Sequence, residues 1–108
     1  MVQHAATSAL ADDVRRELGR VADRLRVLGP RWAQREHPPA ELADVRAALQ
    51  HLSDLADGAG EQRRQVPALR LHALADQLTV LGHEVLLGAE PATLDAVRAT
   101  LLDLRRTL

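Results

Sequence analysis

Apolar residues recur along the chain at alternating spacings of three and four positions, in four separate segments. This spacing places the apolar residues on one face of an α-helix. A strand would instead show apolar residues at every second position, and no segment sustains that pattern. The pattern therefore predicts four amphipathic helices and no strands. The apolar positions are Leu10, Val14, Leu18, Val21, Leu25 and Leu28 in the first segment, Leu42, Val45, Leu49, Leu52 and Ala56 in the second, Leu71, Leu74, Leu78, Leu81 and Val85 in the third, and Leu94, Val97, Leu101, Leu104 and Leu108 in the fourth.

Prolines and glycines mark the predicted ends of these helices. Pro39, Pro67 and Pro91 stand where a first helical turn tolerates proline, because the N–H that proline lacks would have no partner inside the helix. Gly58, Gly60 and Gly88 occupy positions typical of C-terminal helix stops. We predict helices near residues 8–35, 39–57, 67–87 and 91–107.

Two stretches of the sequence recur about half a chain later. Residues 22–29 and 75–82 share the pattern ADxLxVLG at an offset of 53 positions. Residues 39–52 match residues 91–104 at an offset of 52, including the proline that opens each stretch. Two consecutive helices in nearly one register indicate an internal duplication of a helical hairpin. We therefore predict a single domain over residues 1–108, with repeat one at about 8–57 and repeat two at about 67–108.

The repeat also changes the interpretation of Gly29 and Pro30, which by themselves resemble a helix stop. Their counterparts, Gly82 and His83, lie inside a segment whose apolar pattern continues. We therefore predict that the first helix continues past a proline kink to about residue 35. Trp32 then lies on the core seam near one end of the bundle, and the alternative is a surface tryptophan in a loop.

The connection between the third and fourth segments is only a few residues long, which requires an antiparallel hairpin. The predicted fold is an antiparallel up-down four-helix bundle built from a duplicated helical hairpin. A chain of 108 residues has the size of one such domain. The alternative is a pair of hairpins that complete a bundle only by dimerising, with exchange through the glycine linker at residues 58–60.

Composition narrows the classes of function. Hydrophobic residues make up 46% of the chain but aromatic residues only 1%, so the core must consist of Leu, Val and Ala. The net charge of -1 argues against a general polyanion binder, and the absence of cysteine excludes disulfides and thiolate sites. No segment has the pattern of a signal peptide or a membrane span. We expect a cytoplasmic protein without membrane contact.

The sequence carries no catalytic signature. The chain has no Glu-x-x-His motif of the kind that holds metals inside helical bundles, and every seam position is aliphatic. His72, Asp76 and His83 share one helix face, but the two histidines are about 16 Å apart along a helix and cannot bind one metal. We expect no enzyme, no metal, no cofactor and no small-molecule ligand. The alternative is a metal- or proton-dependent enzyme that uses His72, Asp76 and His51.

The third segment carries a second apolar stripe beyond its seam. A helix with two apolar faces usually packs against two different partners. The aligned positions of the first repeat are mostly polar, so the repeats have diverged towards a more adhesive third helix. We expect a non-enzymatic interaction or regulatory module that binds itself or another protein through this stripe. The stripe consists of Leu69, Ala73, Val80 and Leu87.

The first segment carries a stripe of arginines, which suggests an alternative function as an anion- or nucleic-acid-associated regulator. The chain lacks aromatic residues for base stacking and any helix-turn-helix pattern, so we expect no specific nucleic-acid readout. Residues 1–36 carry a charge of +2 (seven Arg, five acids) and residues 37–57 a charge of -3 (one Arg, four acids). Ion pairs between these two helices, if they are adjacent, are therefore another explanation for the arginine stripe. The stripe consists of Arg16, Arg20, Arg24, Arg31 and Arg35.

Overall fold

The computed structural model describes the backbone of residues 2–58, 64–68 and 70–108, and side chains from residue 8 onwards within these ranges. Four α-helices pack together, and the described residues include no strand. This confirms the all-α four-helix bundle. The helices are α1 (Val2–Ala33), α2 (Glu41–Asp57), α3 (Leu74–Leu86) and α4 (Pro91–Thr107), with a 3-10 turn at Leu71–Ala73 leading into α3.

Helix α1 continues through Pro30, as the comparison of the repeats predicts. Proline leaves the carbonyl four residues earlier, on Arg26, without a helical partner. Both Pro30 and Arg26 lie on the exposed side of the helix, where water can hydrate that carbonyl. Trp32 is only 6% exposed and belongs to the core, so its predicted burial is confirmed and the surface-loop alternative is wrong. The helix begins earlier than the predicted residue 8.

The core is built from the apolar seams. Val14, Val21, Val45 and Val97 are completely buried, and the partly buried Leu10 and Leu28 pack against the same cluster. Burial of each such side chain stabilises the fold by roughly 1.5–3 kcal/mol. Two of the predicted helix stops are confirmed, because Gly58 and Gly88 both adopt positive φ angles, which residues with a Cβ rarely do. The third, Gly60, lies outside the described residues.

The helices of one hairpin are not the main neighbours of each other. Helix α1 packs against α3 and α4, and α2 packs against the same two helices. In cross-section, α1 therefore lies diagonally opposite α2, and α3 lies diagonally opposite α4. The hydrophobic core is formed between the two hairpins rather than within them.

The direction of the helices follows from a few contacts. Gly29 lies against Leu71 and Gly82 against Leu18, so α1 and α3 are antiparallel. Arg64 reaches both Asp57, at the end of α2, and Glu84, near the end of α3, so these two helices run in the same direction. The up-down alternation therefore holds within each hairpin but not across the connection between α2 and α3.

Residues 64–68, which we call the strap, bring the chain back along the groove between α2 and α3. The third helix, predicted to start at Pro67, starts only at Leu74, because the strap has no regular secondary structure and a 3-10 turn follows it. The Val66 N–H donates to the side chain of Gln50, and the Pro67 carbonyl accepts from the side chain of Gln77. These glutamines satisfy backbone groups that a helix would otherwise pair.

Helix α1 is the longest of the four, with 32 residues. Arginine and aspartate side chains occupy much of its exposed face. Within the described parts of the chain, no helix combines the length and the apolar character needed to cross a membrane.

Candidate interaction surface

The outer face of α3 carries two large apolar side chains in contact with solvent. Val80 is 65% exposed and Leu87, at the C-terminal cap of the helix, is 81% exposed. Ala73, seven residues before Val80, is half-buried. Leu69, the fourth residue of the predicted stripe, lies outside the described residues. The structure thus leaves Val80 and Leu87 uncovered within this chain.

The helical period explains why these residues are exposed. Leu74, Leu78 and Val85 turn towards the core and are almost completely buried. Val80 lies two residues after Leu78, which corresponds to about 200° around an α-helix of 3.6 residues per turn. Val80 and Leu87, seven residues apart, therefore share the side of α3 opposite the core.

Val80 forms a ridge between two shallow grooves. One groove, of about 420 Å³, lies between α2, the strap and α3, and is lined by Ser53 and Val66 among others. The second, of about 570 Å³, lies on the other side of Val80, where Arg15 of α1 approaches α3. Leu87 lines this second groove. The outer face of α3 is therefore a raised apolar ridge with a recess on either side.

Polar groups flank this ridge. Asp76 and His83, four residues before and three residues after Val80, are both exposed, and their spacing of seven residues places them about 20° apart around the helix. The Asp76 side chain also lines the groove beside the strap. Glu84 lies on the other flank and forms an ion pair with Arg64 of the strap. Asp76 and His83 thus present one negative and one titratable group beside the exposed valine.

Gln50 of α2 holds the strap through two backbone groups. Its Nε2 donates to the Arg64 carbonyl at 2.9 Å, and its Oε1 accepts from the Val66 N–H at 2.9 Å. A carbonyl and the N–H two residues later are the groups that a neighbouring β-strand would pair. Gln77 contributes one bond, from its Nε2 to the Pro67 carbonyl at 2.8 Å. Neither role is predicted from the sequence, because no local pattern relates a helical glutamine to a distant non-helical segment.

An ion-pair cluster fixes the start of the strap. The Arg64 guanidinium donates to Asp57 at 2.9 Å and also to Glu84. The backbone N–H of Arg64 donates to the same aspartate at 3.1 Å. The side-chain hydrogen bond from Arg64 is the main cause of a lowered pKa of Asp57, and the hydrogen bonds that Arg64 donates to Asp57 and Glu84 raise the pKa of Arg64. The cluster joins the ends of α2 and α3 through one arginine.

Three of the five arginines in the predicted anion-binding stripe already have partners. Arg16 pairs with Asp13 at 3.2 Å, and Arg20 pairs with Glu17 at 2.7 Å. Arg24 donates to the Leu108 carbonyl at 3.2 Å. The remaining two, Arg31 and Arg35, are exposed.

Glu17 is the most buried charged side chain described, with a relative exposure of 7%. It accepts from Arg20 on its own helix and from Arg105 of α4 at 3.0 Å. The charges of α1 are therefore compensated within α1 and from α4. Helix α2, from which compensation is expected if α1 and α2 are adjacent, lies diagonally opposite α1.

The structure does not bring together the histidines and the aspartate of the alternative enzyme hypothesis. His51 lines a groove between α2 and α4, whereas Asp76 lines the groove between α2 and α3. His72 lies exposed in the turn before α3. Over the described part of the chain, no three His, Asp or Glu side chains are grouped so that they could hold a metal ion.

Comparison with protein-family models, curated proteins and solved structures finds no match to this chain.

Proposed function

We propose that this protein is a non-enzymatic interaction module that binds another protein chain through the outer face of α3. The observation that carries the proposal is the exposure of Val80 and Leu87 on the side of the helix opposite a complete core. Replacing these exposed side chains by polar ones would not weaken the packing of the core. We therefore propose that they serve to contact another chain. A partner that covers them gains hydrophobic stabilisation of about 25 cal/mol per Å² of apolar surface removed from water.

The architecture supports the same proposal. The ridge lies on a helix that is fixed from both sides, by α1 and by α2 with its strap. A rigid helical ridge presents its side chains with little loss of conformational entropy on binding. The absence of cysteine fits the proposed cytoplasmic location, where thiols would stay reduced and disulfides would add no stability.

Val80→Arg tests the proposal, and Val27→Arg is its matched control. Val27 is the aligned residue of the first repeat and is 46% exposed on α1. Each variant places the same charged side chain on an exposed helical position, so both should retain the helical content and unfolding temperature of the natural protein. Solution mass by light scattering and capture of partner proteins are then compared for the three chains.

The proposed function requires Val80→Arg to reduce self-association or partner capture while Val27→Arg leaves both unchanged. Equal behaviour of all three chains in both assays would refute it.

The alternative function, anion or nucleic-acid association through the arginine stripe, is the weaker proposal. Arg16, Arg20 and Arg24 would have to exchange existing partners for phosphates, which reduces the gain from each contact. Binding to a polyanion that falls steeply with added salt and is lost in Arg31→Ala/Arg35→Ala would support this alternative.

A further inference from the structure

The exposed residues of α3 are arranged symmetrically about one position. Val80 is the central residue of α3, which runs from Leu74 to Leu86. Ala73 and Leu87 lie seven residues before and after it. An antiparallel copy of the same helix, with its centre opposite Val80, would therefore place the large Leu87 over the small Ala73 at both ends.

The charged residues obey the same symmetry. Asp76 lies four residues before Val80 and His83 three residues after it, on one flank of the helix. A two-fold axis through Val80, perpendicular to the helix, keeps each flank on its own side and reverses the direction of the chain. Asp76 of one copy then lies opposite His83 of the other, twice. A carboxylate and an imidazole in that position form a hydrogen bond or, when the imidazole is protonated, an ion pair.

On the opposite flank of α3, this arrangement brings no uncompensated like charges together. Glu84 is the charged residue of α3 on that side, and Arg64 of its own chain already neutralises it. A parallel two-fold arrangement would exchange the two flanks. Asp76 would then lie opposite Gln77, and His83 opposite the Glu84 that Arg64 already neutralises. Antiparallel packing also aligns the two helix dipoles favourably.

We infer that the partner of the outer face of α3 is a second copy of this chain, bound antiparallel with Val80 at the two-fold axis and Asp76 opposite His83. This inference rests on the proposed function and names its partner. One helix of this length contributes a small interface, which is typical of a weak, reversible dimer.

Exchanging Asp76 and His83 distinguishes a contact between the two copies from a purely structural role of these residues. Asp76→His places histidine opposite histidine, and His83→Asp places aspartate opposite aspartate. Each single variant should raise the dissociation constant of the homodimer about tenfold, because two exposed charge contacts are lost. An equimolar mixture of the two variants recreates both histidine–aspartate contacts in a heterodimer. The mixture should therefore associate nearly as tightly as the natural protein.

Light scattering and titration calorimetry over micromolar to millimolar concentrations measure these constants, with Val80→Arg and Val27→Arg in parallel. Circular dichroism confirms that each variant keeps its helices. The expected result is a dimer that Val80→Arg abolishes, Val27→Arg leaves intact, and the mixture of single variants restores.

Three outcomes would overturn the inference, and they differ in what they mean for the proposed function. If the natural protein stays monomeric at millimolar concentration, the inference that the partner is a second copy is wrong. The proposed function is then decided by the capture experiment alone. A dimer that depends on Val80 but is not restored by the mixture overturns the antiparallel register alone. A dimer insensitive to Val80→Arg, with unchanged partner capture, overturns both.

Discussion

Gly29 of α1 lies directly against the backbone carbonyl of Leu71, the first residue of the turn that leads into α3. The same relationship exists in reverse, because Gly82 of α3 lies against the side chain of Leu18 of α1. At the offset of 53 positions Gly29 corresponds to Gly82 and Leu18 to Leu71. Such reciprocal contacts are typical of a two-fold relation between similar units. They agree with the predicted duplication, which stays a prediction.

We predict that Gly29→Ala destabilises the protein although alanine is the better helix former. A Cβ at this position would overlap the Leu71 carbonyl oxygen, and the backbone cannot move aside as a flexible side chain does. We expect a loss of about 1–3 kcal/mol in the free energy of unfolding, the usual cost of overpacking. Urea unfolding followed by circular dichroism measures this change.

Gly19→Ala is the matched control for that substitution. Gly19 lies in the same helix and is exposed, and a Cβ there would meet no atom within 4 Å. Its replacement should stabilise the protein by about 0.5–1 kcal/mol, the difference in helix propensity. The close approach of α1 and α3 would be disproved by Gly29→Ala stabilising the protein to the same extent.

We predict that Gln50→Ala releases the strap. The substitution removes two hydrogen bonds to the strap backbone, each worth about 0.5–1.5 kcal/mol, and leaves the Val66 N–H without its partner. Hydrogen exchange at the Val66 amide should therefore become much faster, while amides in the centre of α1 keep their protection. Gln77→Ala removes one strap bond and should have a smaller effect.

Gln65→Ala serves as the control, because Gln65 is exposed in the same strap. Unchanged exchange at Val66 in Gln50→Ala would mean that the strap does not depend on this glutamine.

We predict that the Asp57–Arg64 contact contributes stability that acid removes. The pKa of Asp57 is lowered in the folded state, mainly by the side-chain hydrogen bond from Arg64. A group with a lowered folded pKa contributes its full stability above its ordinary pKa and loses it as the pH falls through the folded value. The contribution is therefore complete at neutral pH and disappears on acidification below the ordinary aspartate range.

Nuclear magnetic resonance titration of the Asp57 carboxyl carbon checks this prediction. Its midpoint should lie below that of an unpaired aspartate and return towards the ordinary value in Arg64→Ala. Asp57→Asn should weaken the acid dependence of the unfolding free energy at the low end of the pH range. A titration of Asp57 that is identical in the natural protein and in Arg64→Ala would contradict the assigned cause.

We predict that Trp32 reports folding of the whole bundle. It is the single tryptophan of the chain and is 6% exposed, so its emission should be blue-shifted in the folded state and move to longer wavelength in urea. Trp32→Ala should cost about 3–5 kcal/mol of stability, the range for large aromatic side chains in a core. A folded-state emission maximum equal to that of the unfolded chain would place the indole in solvent instead.

Local periodicity was sufficient to predict the four helices and most of the core. Seam residues such as Val14, Val45 and Val97 are fully buried because their spacing matches the helical turn wherever the helix is placed. The match between residues 22–29 and 75–82 correctly predicted that α1 continues past Pro30, which lies on the exposed side of the helix. The outer face of α3 was likewise predicted, because Val80 and Leu87 lie away from the seam by helical geometry alone.

The sequence by itself therefore determined that there are four helices and which face of each is buried. Only the tertiary structure decided that α1 packs against α3 and α4 rather than α2, because an amphipathic pattern identifies a buried face but not the helix that covers it. It also decided that the strap is not helical, since Gln50 binds its backbone groups from 14 and 16 residues away. Contacts over such distances depend on how the helices are arranged, and no local pattern of residues records them.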